Sequence, residues 1–149
     1  MLCNDEIIVL KEVKYKDYDK ILHAYSKNRG KIQIISRGCR KPKSKLLSSS
    51  QIFSHSECIL YIKKNMYILS SADLINNFYK IRENIDTFFY GSYILELINY
   101  IIQENDVDSK IFDMTIKVLK CLEGDKVQKN ILIGAYEIKL ASMLGYRPN

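Results

Sequence analysis

The chain has 149 residues, 47% hydrophobic and 27% charged, with a formal net charge of +6. It can bury enough apolar surface to fold as one compact domain or two small ones, which excludes a disordered chain. No apolar run approaches the roughly 18 residues of a membrane span, and Met1-Leu2-Cys3-Asn4-Asp5-Glu6 lacks a signal peptide's basic-then-apolar order, so a cytoplasmic protein is expected.

Residues 6–13 are apolar and β-branched and predict a strand, followed by the polar turn Lys14-Tyr15-Lys16-Asp17-Tyr18-Asp19. Residues 21–26 predict a second strand leading into Lys27-Asn28-Arg29-Gly30, where Asn and Gly suit a tight hairpin. Lys31-Ile32-Gln33-Ile34 alternates strictly, and residues 38–51, with Gly, Pro and Ser48-Ser49-Ser50, read as a long exposed loop. Residues 53–62 and 66–69 predict two more strands, joined by Lys63-Lys64-Asn65. Five short strands in hairpin succession predict a small barrel or sandwich.

After Asp73 the pattern turns helical. Ile81, Ile85, Phe88, Phe89 and Leu95 form one stripe, prolonged by Ile98 and Ile102. Ile111, Phe112, Thr115, Ile116, Leu119 and Leu122 form a second, ended by Glu123-Gly124-Asp125 with Gly124 as its cap. Residues 127–144 predict a third helix, with Ile131, Ala135, Ile138 and Leu140 as its apolar face, stopping at Gly145 and Pro148. The expected class is β + α in two segregated parts: a five-stranded barrel over residues 1–78 and a helical domain over 79–149.

Charge divides the same way. Residues 1–80 hold 15 Lys or Arg against 7 Asp or Glu, and residues 81–149 hold 8 against 10. Lys27, Arg29, Lys31, Arg37, Arg40, Lys41, Lys43 and Lys45 crowd residues 27–45 without an acidic residue among them. A field this uncompensated points to a polyanion. Nucleic acid is favoured over a membrane, because no basic amphipathic helix is present. Tyr15, Tyr18, Tyr25, Phe53, Tyr61 and Tyr67 are candidates for base stacking, about half of them expected in the barrel core instead.

Catalytic patterns are missing. Cys3, Cys39, Cys58 and Cys121 are scattered, and neither His23 nor His55 has a second metal ligand nearby, so free thiols in a reducing compartment are expected and no metal. Gly30 and Gly38 do not form a phosphate loop, and Ser48-Ser49-Ser50 lacks the Gly-x-Ser-x-Gly context of a nucleophile. Asp17 with Asp19 reads as a capped or solvated turn, and the carboxylate cluster of a nuclease is absent. The expectation is a protein that is not an enzyme.

The order of several segments resembles the N-terminal half of the RecO family, the bacterial DNA-repair recombination mediators. These are Ile8-Val9-Leu10-Lys11, Tyr15-Lys16-Asp17-Tyr18-Asp19-Lys20-Ile21-Leu22, Gly30-Lys31-Ile32 and Arg37-Gly38-Cys39-Arg40-Lys41-Pro42-Lys43-Ser44. The similarity continues through Tyr93-Ile94-Leu95-Glu96-Leu97, Ile111-Phe112-Asp113 and Tyr136-Glu137-Ile138-Lys139-Leu140 to Gly145-Tyr146-Arg147-Pro148. Tyr136 stands where the family more often has Phe, and Asp17 where Glu is usual. The resemblance implies an oligonucleotide/oligosaccharide-binding (OB) barrel followed by helices. It also implies binding of single- and double-stranded DNA, strand annealing, and work with RecR and single-strand-binding protein to load the recombinase. The expected location is the bacterial cytoplasm, on the nucleoid. No cofactor is expected, since the family's four-cysteine zinc site would lie beyond Asn149. Arg37 and Arg40, which bracket the Gly38 turn, rank highest among the eight cations as phosphate contacts. The alternative is a protein-interaction module that docks RecR or single-strand-binding protein with little DNA affinity of its own.

Overall fold

The computed structural model describes residues 1–124 and 126–145. Five strands, β1 (Leu2–Tyr15), β2 (Asp19–Ser26), β3 (Gly30–Ser36), β4 (His55–Lys63) and β5 (Met66–Asn76), close into a barrel in the order β1-β2-β3-β5-β4. Neighbours are antiparallel except at the β3–β5 seam, a short parallel pairing of Ile34 with Tyr67 and Ile35 with Ile68. Four helices follow: α1 (Tyr79–Glu83), α2 (Ile85–Ile101), α3 (Ser109–Glu123) and α4 (Lys129–Gly145). A barrel followed by helices is the expected architecture. Among the described residues, no helix is long and apolar enough to cross a membrane.

The run Ile7-Ile8-Val9-Leu10 is fully apolar because β1 is buried on both faces at that point. Ile7 and Val9 point into the barrel with Leu22, Ala24, Ile32, Ile34, Leu60 and Leu69. Ile8 and Leu10 point outward into a second cluster that contains Tyr25, Phe53, Phe78 and the inner faces of the helices. A bulge between Val9 and Lys11 then shifts the register as the strand leaves the helices.

Two aromatic side chains dock the helices on the barrel. Phe53, fully buried at φ 73°, is held by its N–H donating to the Val9 carbonyl at 3.0 Å. Helix α2 lies against it at Gly91, where a Cβ would sit 2.7 Å from Ile81 Cγ2 and 3.0 Å from the Phe53 ring. Phe112 of α3 packs edge-on to Tyr25, with ring centroids 5.4 Å apart, and to His55 at 6.1 Å.

Several local expectations are corrected. Strand β5 runs to Asn76, past the Asp73 where helix was expected, because Asp73 and Leu74 still pair with Glu57 and Ser56. The first helical stripe is broken by Asn84, whose side chain accepts the N–H groups of Asp86 and Thr87 and starts α2 afresh. Ile85 and Phe89 are consequently 84% and 69% exposed and Phe88 is also outside, while Thr87, Gly91, Ile94, Leu95 and Ile98 face inward. In α4 the buried residues are Ile133, Tyr136 and Leu140, and Ile131, Ala135 and Ile138 face outward. The Tyr136 hydroxyl meets Thr115 Oγ1 at 2.8 Å, which sets the rotation of α4 against α3. Helix α3 buries the face predicted for it, is capped by the Asp108 carboxylate, and ends at Gly124 with an ordinary negative φ of −87°. The expectations that fall on Asp125 and on Tyr146-Arg147-Pro148 lie outside the described residues.

The loop over residues 38–51 is largely exposed as expected, but its serine run instead closes the floor of the barrel. A 3₁₀ turn at Ser48–Ser50 buries Ser49 and Ser50. Ser36 and Ser50 share a hydrogen bond of 2.7 Å, and Ser56 donates to Ser49 Oγ at 3.1 Å. Lys20 Nζ, inside the same end, donates to Glu12 Oε1 at 2.8 Å and to the Ser50 carbonyl at 3.1 Å. Hydroxyls that satisfy one another can be buried, whereas composition alone reads them as solvated.

The Gly91 contact yields a paired expectation. Gly91→Ala forces Ile81 and Phe53 apart and should cost about 1–3 kcal/mol. Gly134→Ala, where an added Cβ meets nothing within 4 Å, should stabilise by up to about 1 kcal/mol through helix propensity. Urea unfolding of the two variants measures both.

Candidate nucleic-acid interface

The eight cations of residues 27–45 fall into two sets. Three sit at the helix-facing end of β2 and β3 and have partners within the chain. Arg29 Nη1 donates to Asp5 Oδ2 at 2.9 Å, and that carboxylate, 2% exposed, also accepts the Ser26 hydroxyl and the N–H groups of Glu6 and Asn28. Lys27 Nζ pairs with Asp113 Oδ1 on α3 at 3.1 Å, and this hydrogen bond pushes the Lys27 ammonium above its usual pKa. Lys31 Nζ donates to the Asn99 carbonyl at 2.7 Å, in the last turn of α2 where carbonyls lack helical partners.

The other five, Arg37, Arg40, Lys41, Lys43 and Lys45, lie on the loop after β3, and no ion pair among the described residues engages them. Three hydrogen bonds pin this loop onto the β1–β2 turn. The Gly38 N–H donates to Asp19 Oδ1 at 2.7 Å, the Arg40 N–H to the Tyr18 carbonyl at 2.9 Å, and Arg40 Nη1 to the Lys16 carbonyl at 3.3 Å. Gly38 is at φ 67°, a left-handed conformation that other residues seldom adopt. Buried Cys39 anchors the loop beside it.

This pinning adds Lys14 and Lys16 to the surface, two residues that the sequence reading left as turn. Their signal was present in the spacing Lys11-x-x-Lys14-x-Lys16. Together, residues 14–19 and 37–45 present seven cations and two carboxylates, one of which, Asp19, is engaged by Gly38. Lys41 Nζ lies 5.4 Å from the Tyr18 ring centroid and Lys16 Nζ 5.3 Å from that of Tyr15. Lys16, Tyr18, Arg37 and Lys41 line an open cleft of about 490 Å³. Of the six stacking candidates, Tyr25 and Phe53 are fully buried and Tyr67 packs on the barrel core. Tyr15, Tyr18 and Tyr61 are exposed.

On the outer face of β2, His23 pairs across to Lys11 and Gln33. Burial holds its pKa below 6.5, reinforced by Lys11 and Lys31 and opposed by Glu104. Among the described residues, no group of three or more His, Cys, Asp or Glu is placed to hold a metal ion. Burial pushes the Cys58 thiol up to about 12, which keeps it protonated and unreactive.

Residues 1–78 match the family described as recombination protein O N terminal, and residues 82–149 match recombination protein O C terminal. Curated relatives named DNA repair protein RecO include that of Acetivibrio thermocellus, 34% identical over 95% of this chain and 56% of the relative. That of Alkaliphilus metalliredigens is 30% identical over 100% of the chain and 61% of the relative. That of Clostridium novyi is 32% identical over 93% of the chain and 54% of the relative. The chain thus spans little more than half the length of these relatives.

The two sets of cations should separate in stability measurements. Arg29→Ala strips a charged hydrogen bond from buried Asp5 and should cost about 1.5–3 kcal/mol. Arg37→Ala should stay within about 0.5 kcal/mol of the parent. In an NMR pH titration His23 should show a midpoint below 6.5. Because the unfolded chain takes up that proton first, the contribution of His23 to stability is present above pH 6.5 and lost as the pH falls through the folded value. His23→Gln should flatten that part of the pH–stability profile.

Proposed function

The chain belongs to the recombination protein O (RecO) family, and on that premise we propose that it binds single- and double-stranded DNA in DNA repair, through the cationic surface of the β1–β2 turn and the loop after β3. One observation carries this reading: five cations of that loop, joined by Lys14 and Lys16, have no carboxylate partner among the described residues, and all of them but the half-buried Arg40 are exposed. Such a surface binds phosphate by releasing condensed counterions, with little dependence on sequence. It also lowers the repulsion between two phosphate backbones, which is the physical requirement for annealing complementary strands ahead of recombinase loading. Tyr15 and Tyr18, exposed beside Lys16 and Lys41, offer ring faces to unstacked bases.

A second reading, an interaction module for RecR or single-strand-binding protein, is favoured by a different feature. Between α3 and α4 an apolar cleft of about 170 Å³, lined by Met114, Val118, Leu132 and Tyr136, is rimmed by Lys117 and Lys139. An apolar side chain next to carboxylates would suit it. The two surfaces lie on different parts of the fold and are compatible with one another.

Fluorescence anisotropy with a labelled single strand and its duplex, across a salt series, tests the DNA reading. The expected log–log slope is several units, and Arg37→Ala and Arg40→Ala should each reduce it by about 0.7–0.9. Lys27→Ala should leave it unchanged. A flat or absent salt response would leave the interaction module as the function.

A further inference from the structure

Strand β4 lies between β1 and β5 and shows an exposed outer face. Cys58 and Leu60 point into the barrel. The alternate residues Glu57, Ile59, Tyr61 and Lys63 therefore stand on the outside, and all four are exposed. Along the strand they read acidic, apolar, apolar, basic. The neighbouring strands widen each part of that order. Leu2 of β1, 61% exposed, and half-buried Ile68 of β5 lie directly across from Tyr61 in the apolar middle. Asp73 lies across from Glu57 at one end, and Lys64 follows Lys63 at the other.

One chain alone leaves this face unbalanced. Glu57 and Asp73 are like charges in directly opposed positions, an arrangement that destabilises a sheet. Among the described residues no ion pair engages either of them, and none engages Lys63 or Lys64. Between the charged ends the apolar row is open to solvent. Because β4 is hydrogen-bonded on both sides, a partner cannot add a strand to it and must pack face to face.

The order of charges selects that partner. A face that reads acidic, apolar, apolar, basic is its own complement after half a turn about an axis normal to the sheet at Leu60. Glu57 then meets Lys63 of the second copy, Ile59 meets its Tyr61, and each contact occurs twice. A surface of one sign would satisfy only one end, and a nucleic acid would meet the carboxylates of Glu57 and Asp73.

We propose that this face binds the same face of a second copy of the chain, with the two β4 strands antiparallel. The four positions span about 20 Å and the three strands about 15 Å, a flat footprint of about 300 Å². Stable complexes bury about 800 Å² per partner, so this dimer is transient and forms at high concentration. The inference is independent of the DNA-binding reading above.

The test follows self-association of the 149-residue chain by sedimentation equilibrium from micromolar to millimolar concentration. It compares the parent with Glu57→Lys, with Lys63→Glu, and with a mixture of the two variants. The parent should dimerise reversibly. Each variant alone sets like charges together at both contacts and should weaken the dimer by at least about tenfold. The mixture places opposite charges at both contacts again, so its association should return to near that of the parent. Amide shifts of the parent that move with concentration in NMR spectra should map to β4, Leu2 and Ile68, a readout that needs no variant. A parent that stays monomeric over the whole range overturns the proposal. So do variants that associate as the parent does, a mixture no more associated than its components, or shifts confined to the exposed faces of α2 and α4.

Discussion

Everything after the first strand depends on β1 being buried on two sides at once. Ile7 and Val9 help fill the barrel, while Ile8 and Leu10 form the seat on which the helices rest. A surface strand of an OB barrel ordinarily alternates apolar and polar; this one cannot, because its outer face is an interior. Phe53 is fixed to the same stretch through the Val9 carbonyl, and α2 can approach it only at Gly91. The helical part is therefore built onto the barrel, sharing one apolar cluster with it, and its position follows from four consecutive side chains near the N-terminus.

That arrangement also sorts the charges. Cations near the helices are drawn into their support: Lys27 reaches Asp113 of α3, Lys31 reaches the end of α2, and Arg29 stabilises the buried Asp5 that holds the β2–β3 turn. Cations at the other end of β3 pair with no carboxylate among the described residues. Their positive field stays outside because the chain supplies few carboxylates there, and Asp19 spends its side chain on the Gly38 N–H.

The sequence was most legible where one local signal decided the outcome. The turn with Asn28 and Gly30, the alternation of residues 31–34 and the single apolar face of α3 with its Asp108 cap all appear as read. Helices α2 and α4 carry apolar residues on more than one side, so periodicity could not choose between them. The choice was made by tertiary contacts, Gly91 against Phe53 and Tyr136 against Thr115. The candidate interface shows the same limit. Its wealth of cations was plain from composition, but which of them were free was not, since the partners of Arg29 and Lys31 lie 24 and 68 residues away. The serine run was misread for a related reason: hydroxyls count as polar in a sequence and become interior once they face one another.

The floor of the barrel bears on how the strands find their pairing. A slip of β2 by one residue would turn its apolar face outward, but a slip by two keeps every inward side chain inward, and an aliphatic floor would tolerate it. Here Leu22 lies across from Glu12, and Lys20, one pleat further along β2, reaches back to that carboxylate and to the Ser50 carbonyl. A two-residue slip that set Lys20 opposite Lys16 would carry the buried ammonium away from Glu12, at a cost of several kcal/mol. The charged pair thus biases strand alignment, penalising slippage in one direction that hydrophobic patterning alone would allow.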